Sequence, residues 1–229
     1  MKNFFAFLFF VVTVVELSAH LFGTGLNVYS KPLLMPVLMF YFLAGYQFNT
    51  DRRSAMVILV LVLSCAGDIS LMGQTSGRFI AGLSCFLFAH VAYVVIFIKE
   101  GKSTLTSIHF SWKLLLPMVI YLGVLLSFLI PTSGAMMIPV IVYGLAIMVM
   151  WYTAALVFGL RATNASWFII VGSTLFVLSD SMIGINKFYA PLPQSSFLIM
   201  STYIGGQFLI ITGLLTHFQK TRSVSTSVA

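Results

Sequence analysis

Charge is what this sequence has least of. Asp, Glu, Lys and Arg make up 7% of its 229 residues, and only five of them are acidic, whereas a soluble domain carries roughly a quarter charged residues. A chain that is also 60% hydrophobic cannot cover a water-facing surface, so a soluble globular domain is excluded and a membrane protein is indicated. Cysteine is nearly absent. Cys65 and Cys85 are the two present; they fall in apolar stretches at similar depths, where a bridge is conceivable, but buried cysteine usually behaves as a small hydrophobe, and the pair indicates no redox compartment. The signatures of common hydrolases are missing as well: no HExxH and no GxSxG occurs. The four histidines, His20, His90, His109 and His217, are too dispersed for a recognisable metal set, and Ser64, Ser179 and Ser181 beside the aspartates lack an evident histidine base. Neither a metal nor a cofactor is implied.

What the sequence does have is long apolar runs. A bilayer-spanning helix needs roughly 20 mainly apolar residues, and eight such stretches can be marked between charges, Pro, Gly and Asn: Phe4–Phe22, Leu33–Phe48, Ser54–Gly73, Arg78–Ile98, Leu114–Ile130, Met137–Gly159, Trp167–Ile185 and Phe197–Phe218. They are continuously apolar rather than alternating, which argues against a closed barrel. The fold class read from this is all-α: a polytopic membrane protein of eight transmembrane helices, with residues 1–220 as one domain and a disordered cytoplasmic tail over 221–229, rich in Ser, Thr and Val. The longest connection expected runs from Lys99 to Lys113, so chemistry must sit inside the bundle or at its mouths.

The net charge of +7 is explained by its distribution. With a cytoplasmic amino terminus, that side receives Lys2, Arg52, Arg53, Lys99, Lys102, Lys113, Arg161, Lys220 and Arg222, and the other side receives Lys31, Arg78 and Lys187: nine against three of the twelve. This is the positive-inside bias. It places both termini in the cytoplasm and makes the charge a topology signal rather than a nucleic-acid footprint, so no nucleic-acid partner is expected. The first segment also has features of a signal peptide, with Lys2, an apolar run and the small pair Ser18 and Ala19. Glu16 inside that run, and its extension to Phe22, favour a retained helix.

Two further patterns concern organisation and chemistry. CAGDISLMG and FLFAHVAY in helices three and four parallel VLSDSMIGI and YIGGQFLI in helices seven and eight, and LLMPV at 33–37 parallels MMIPV at 136–140; this suggests a 4+4 repeat with both halves in the same orientation. Acidic residues at membrane depth are costly and therefore functional candidates. Glu16, Asp68 and Asp180 each lie five or six positions before the outer end of an outward-running helix, roughly 7–9 Å deep at 1.5 Å per residue. All three share one level. His20, Lys31, Asn186 and Lys187 would ring the outer mouth of a chamber, with His90, Tyr93, Tyr203 and Gln207 as its floor. Such a chamber suits an amphiphile whose polar end meets charge while its chain runs between helices. Two carboxylates in a low-dielectric site resist double ionisation, which equips them for acid and base work on water and an acid-labile bond. The bland alternative is that Asp68 and Asp180 pair with Lys31, Lys187 or Arg78 to hold helices together.

Taken in order, SKPLLMP, GDISL, GLSCFLFAHVAY, SDSMIGI and YIGGQFLI resemble the YhhN family of membrane lysoplasmalogenases over nearly the whole chain. The resemblance implies an eight-helix hydrolase that cleaves the vinyl ether bond of lysoplasmalogens, releasing a fatty aldehyde and glycerophosphoethanolamine or glycerophosphocholine. It places the family's paired aspartates on Asp68 and Asp180. It leaves Lys31 to meet the phosphate, with His90, Tyr93, Tyr203, Gln207 and Glu16 around the substrate; some relatives carry histidine at the place of Gln207, which argues against an indispensable proton donor there. The expected partners are a lysophospholipid substrate and membrane lipid, in a bacterial inner (plasma) membrane. A proton-coupled transporter of a small lipid or solute, and a noncatalytic assembly or lipid-sensing protein, are the rival readings, because proton relays also use intramembrane carboxylates.

Overall fold

The computed structural model describes residues 1–73, 75–104, 110–159 and 163–227. Among them there is no strand, and eight α-helices follow one another: α1 (Lys2–Phe22), α2 (Asn27–Gly45), α3 (Arg52–Leu71), α4 (Ser76–Thr104), α5 (Trp112–Ser133), α6 (Met137–Phe158), α7 (Asn164–Gly184) and α8 (Ser195–Ser227). Seven helical stretches are long and apolar enough to cross a membrane. One of these, Trp112–Phe158, joins α5 and α6 through a 3-10 turn at Gly134–Met136. Gly134 adopts φ 53° at that turn, a conformation that costs glycine little, and α5 packs back against α6.

The termini of the helices sort into two ends. Lys2 lies over the Tyr41 ring near the end of α2, the Gln219 side chain of α8 donates to the Gly45 carbonyl at 2.7 Å, and Arg53 at the start of α3 donates to Glu100 of α4 and Thr221 of α8. Both chain termini therefore lie at one end, with most of the basic residues. Asp68, Asp180 and their neighbours lie toward the other. Large apolar side chains such as Phe4, Phe7, Val14, Leu116, Val119 and Phe128 face outward, an arrangement that only lipid can solvate, and the protein is an integral membrane protein.

Two helix pairs position the aspartates. On α7 and α8 a Cβ at Gly172 would come within 2.8 Å of the Gly206 carbonyl, one at Gly206 within 2.9 Å of the Gly172 carbonyl, and one at Gly213 within 2.8 Å of the Ala165 carbonyl. The two backbones thus touch through small residues, which is how helices pack closely when lipid offers no hydrophobic drive. On α3 and α4, Gly67 accepts the Phe86 ring and Gly82 accepts Leu71. Both aspartate helices have side-chain N-caps: Asp51 and Ser54 form a reciprocal capping box on α3, and Thr163 caps α7.

Several boundaries differ from the sequence reading, among them the start of α2, which lies at Asn27 rather than Leu33 and takes Lys31 into the helix. Helix α4 continues to Thr104 rather than stopping at Ile98, because Glu100 is drawn under the bundle by Arg53 at 2.9 Å and His217 at 3.2 Å. This shortens the connection expected from Lys99 to Lys113. Helix α8 runs to Ser227, past Phe218 and into the stretch expected to be disordered from Thr221, whose first residue is tied to Arg53. The continuation of α7 into a π-helical turn, Ile185–Tyr189, has no signal in the sequence. His109, Arg161 and the last two residues of the expected tail lie outside the described residues.

Candidate active site

Asp68 sits one turn before the end of α3 and is 2% exposed. Tyr203, on α8, donates its hydroxyl to Asp68 Oδ2 at 2.8 Å. Below this pair a second bonded group forms: the Tyr93 hydroxyl of α4 donates to Gln207 Oε1 at 2.6 Å, and Gln207 Nε2 donates to Ser64 Oγ at 3.0 Å. Tyr93 and Gln207 are fully buried. These polar groups would be costly in an apolar core without partners, and here each has one.

Asp180 is the second acid, one turn before the end of α7, with its side chain 6% exposed. The Tyr143 hydroxyl of α6 donates to its Oδ2. His90 of α4 points Nε2 at the same oxygen from 3.6 Å, too far for a hydrogen bond, and packs edge-on against the rings of Tyr143 and Phe176. Neither ring nitrogen of His90 has a hydrogen-bond partner among the described residues, which in a fully buried group calls for a functional explanation. The Phe176 ring packs edge-on against both His90 and Tyr203 and so joins the two groups.

Above these groups lies a vestibule lined by His20, Lys31, Thr75, Asn186, Lys187 and Met200. The π-helical turn supplies Asn186 and Lys187; the Leu192 backbone N–H donates to Asn186, and Lys187 stands 5.1 Å over the Phe79 ring. Glu16 does not line the vestibule. It is fully buried, accepts the Ser30 hydroxyl at 2.5 Å and is bonded to His20 Nε2 at 3.0 Å, so it orients a residue that does. Leu71, Phe79 and Ile183 belong both to the vestibule and to an apolar cleft below it, whose wall contains Tyr143, Asp180 and Ser181. A cationic mouth thus opens onto a greasy cleft with a carboxylate on its wall. Arg78, a candidate partner for the aspartates, instead donates to the Ile69 carbonyl. Cys65 and Cys85 are both free. No group of three or more His, Cys, Asp or Glu residues that could hold a metal ion occurs among the described residues.

Residues 26–214 match the model of the YhhN family. The chain belongs to the YhhN family. Among curated proteins it is 35% identical to the lysoplasmalogenase TMEM86A of Bos taurus over 179 residues, covering 75% of this chain and 70% of that one. It is 34% identical to the human lysoplasmalogenase TMEM86B over 189 residues, covering 79% and 73%, and 29% identical to a lysoplasmalogenase of Mycobacterium tuberculosis over 182 residues, covering 78% and 67%. No solved structure matches. Asp68, Asp180, Lys31, His90, Tyr93, Tyr203 and Gln207 fall within the matched span of this YhhN protein, and Glu16 and His20 fall before it.

Tyr143 is the site residue that sequence reasoning passes over. Its signal is slight: one of two tyrosines in an apolar helix, whose buried hydroxyl needs a polar partner.

Proposed function

We propose that this protein is a lysoplasmalogenase of eight membrane crossings, α5 and α6 counting as two, with both termini cytoplasmic. It hydrolyses the vinyl ether of a lysoplasmalogen: R–CH=CH–O–R′ and water give the aldehyde R–CH2–CHO and the alcohol R′–OH, which carries the glycerophosphoethanolamine or glycerophosphocholine group. The observation that carries the reading is a pair of buried aspartates, each fixed by a tyrosine hydroxyl, of which Asp180 lines an apolar cleft that adjoins a cationic vestibule. That junction matches an amphiphile whose acid-labile bond lies between its phosphate and its chain.

Protonation of the vinyl carbon distal to oxygen gives an oxocarbenium ion; water adds to it, and the resulting hemiacetal collapses to aldehyde and alcohol. Asp180, on the cleft wall, is assigned as the proton donor. Asp68, bonded by the Tyr203 hydroxyl, is assigned as the ionised partner that stabilises the cation and takes a proton from water. Lys31, with His20 and Lys187, receives the phosphate as a set of point charges. Tyr143 holds Asp180 and His90 faces it at 3.6 Å, while Tyr93 and Gln207 support Tyr203 from below.

A 4+4 repeat of the kind the motifs suggest would relate Asp68 to Asp180 and His90 to Gln207; the packing of α4 against α6 and of α8 against α2 fits it, whereas α1 packs against α8 more closely than α5 does against α4. Purified protein given lysoplasmalogen tests the function: aldehyde release is expected, whereas solute flux in proteoliposomes without aldehyde would favour the transporter reading.

A further inference from the structure

The cleft beside Asp180 does not end at the acid. A second apolar cavity lies between the same three helices, α5, α6 and α7, and it is bounded by Met118, Tyr121, Met148, Trp151, Thr174 and Leu178. The first is bounded on those helices by Leu126, Leu129, Tyr143, Ile147, Asp180 and Ser181. From first to second, the lining residues step backward along α5, forward along α6 and backward along α7. Because consecutive helices run in opposite directions, all three steps lead toward the end of the bundle that holds the termini. The steps from Leu126 to Met118, Tyr143 to Trp151 and Asp180 to Thr174 correspond to about 9–12 Å of helix rise. The two cavities abut at one hydrogen bond, where Tyr121 of the second donates to Ser181 of the first at 2.9 Å.

From its outer rim at Leu129 and Gly184 to its inner limit at Pro117 and Thr174, the combined cleft extends about 15–18 Å, roughly half the hydrocarbon thickness of a bilayer. Its inner part opens sideways, since Leu178 is 41% exposed and Tyr121 37%. Charge is absent from the lining of the inner part, so nothing there would hold a headgroup.

We infer that the α5–α6–α7 cleft is the seat of the substrate's alk-1-enyl chain, entering beside Asp180, passing the Tyr121–Ser181 bond and reaching lipid between α5 and α7. The inference rests on the lysoplasmalogenase reading and adds to it a specificity determinant. A long chain fills both cavities and a short chain only the first, so apolar contact beyond Tyr121 favours long chains, each buried methylene adding to the preference. The same path gives the released aldehyde a lateral exit into the bilayer.

The test measures kcat/KM for 1-alk-1-enyl glycerophosphoethanolamines of short and long chain in wild type and three variants. Met118→Trp and Leu178→Trp place bulk in the inner cavity from opposite walls, and Leu178, half in lipid, tolerates it even if Met118 does not. Val119→Trp, on the outward face of α5 at 53% exposure, is the control. The expected result is a long-to-short ratio of kcat/KM that falls about tenfold in either cleft variant that elutes as folded protein and stays at the wild-type value in Val119→Trp. An unchanged ratio in a folded cleft variant, or an equal fall in the control, overturns the inference. Wild type that releases no aldehyde from any chain would instead overturn the function on which it rests.

Discussion

Replacing Tyr203 by phenylalanine removes one oxygen and little else. Its hydroxyl donates to Asp68 Oδ2 at 2.8 Å, and the two residues are 3% and 2% exposed, so the bond is held away from water. The ring keeps its edge-on contacts with Phe86 and Phe176, and no cavity larger than an oxygen is left. A hydrogen bond to a charged group contributes roughly 1.5–3 kcal/mol, which if lost from the transition state corresponds to a fall of about 10- to 150-fold in rate. In the proposed mechanism Tyr203 is a positioning residue, acting through its hydrogen bond to Asp68. The expected result of Tyr203→Phe is therefore a loss in kcat within that range, with KM changed no more than about threefold. Tyr93→Phe is the comparison: it removes an equally buried hydroxyl that bonds Gln207 instead of an acid, and it should cost about 1 kcal/mol of stability with kcat nearly intact. Aldehyde release by purified protein, with thermal unfolding in the same detergent, reads both quantities. Near-normal kcat in Tyr203→Phe, or equal kcat losses in both variants, would refute the reasoning.

Lys31→Met should raise KM about fivefold, the effect of a partly hydrated ion pair of about 1 kcal/mol, with kcat little changed; the defect should vanish on a phosphate-free vinyl ether of glycerol, and an equal defect on both substrates would remove Lys31 from phosphate binding. Gly206→Ala should lower the unfolding temperature markedly, because its Cβ would press on the Gly172 carbonyl and the Phe176 amide and overpacking costs about 1–3 kcal/mol; wild-type stability would show that α7 and α8 are not in close contact. Asp51→Ala removes the acceptor of the Ser54 amide in the α3 capping box, and that of the Tyr46 hydroxyl, while the Asp51 amide can still donate to Ser54; it should destabilise by about 1 kcal/mol without altering KM, as measured by thermal unfolding and kinetics.

The helices were legible because a lipid-facing segment must be apolar along its whole length, and Pro, Gly and charge punctuate those segments. Helix ends were less so. The extension of α4 depends on Glu100 finding Arg53 and His217 from two other helices, a tertiary event that no local window encodes. The depth argument singled out Asp68 and Asp180 because an acid in lipid is rare, and in the structure each is buried and bonded by a tyrosine hydroxyl. It could not anticipate Tyr143, since a tyrosine among apolar residues is ordinary until its hydroxyl is seen to meet Asp180. Glu16 shares the acids' level but belongs with Ser30 and His20, so depth alone does not distinguish a group that faces substrate from one that steadies a neighbour. The apolar cleft was invisible for the same reason: α5, α6 and α7 are apolar all round, and only their packing separates the lipid face from the cleft face.

The central claim, that Asp68 and Asp180 jointly hydrolyse a vinyl ether, is tested most directly by aldehyde release from lysoplasmalogen by the wild type, Asp68→Asn, Asp180→Asn and the double variant. The expected outcome is release by the wild type, and losses in the two single variants that do not add in the double because the groups act as one unit, all four proteins being folded and membrane-inserted. Near-normal release by either folded single variant would contradict it.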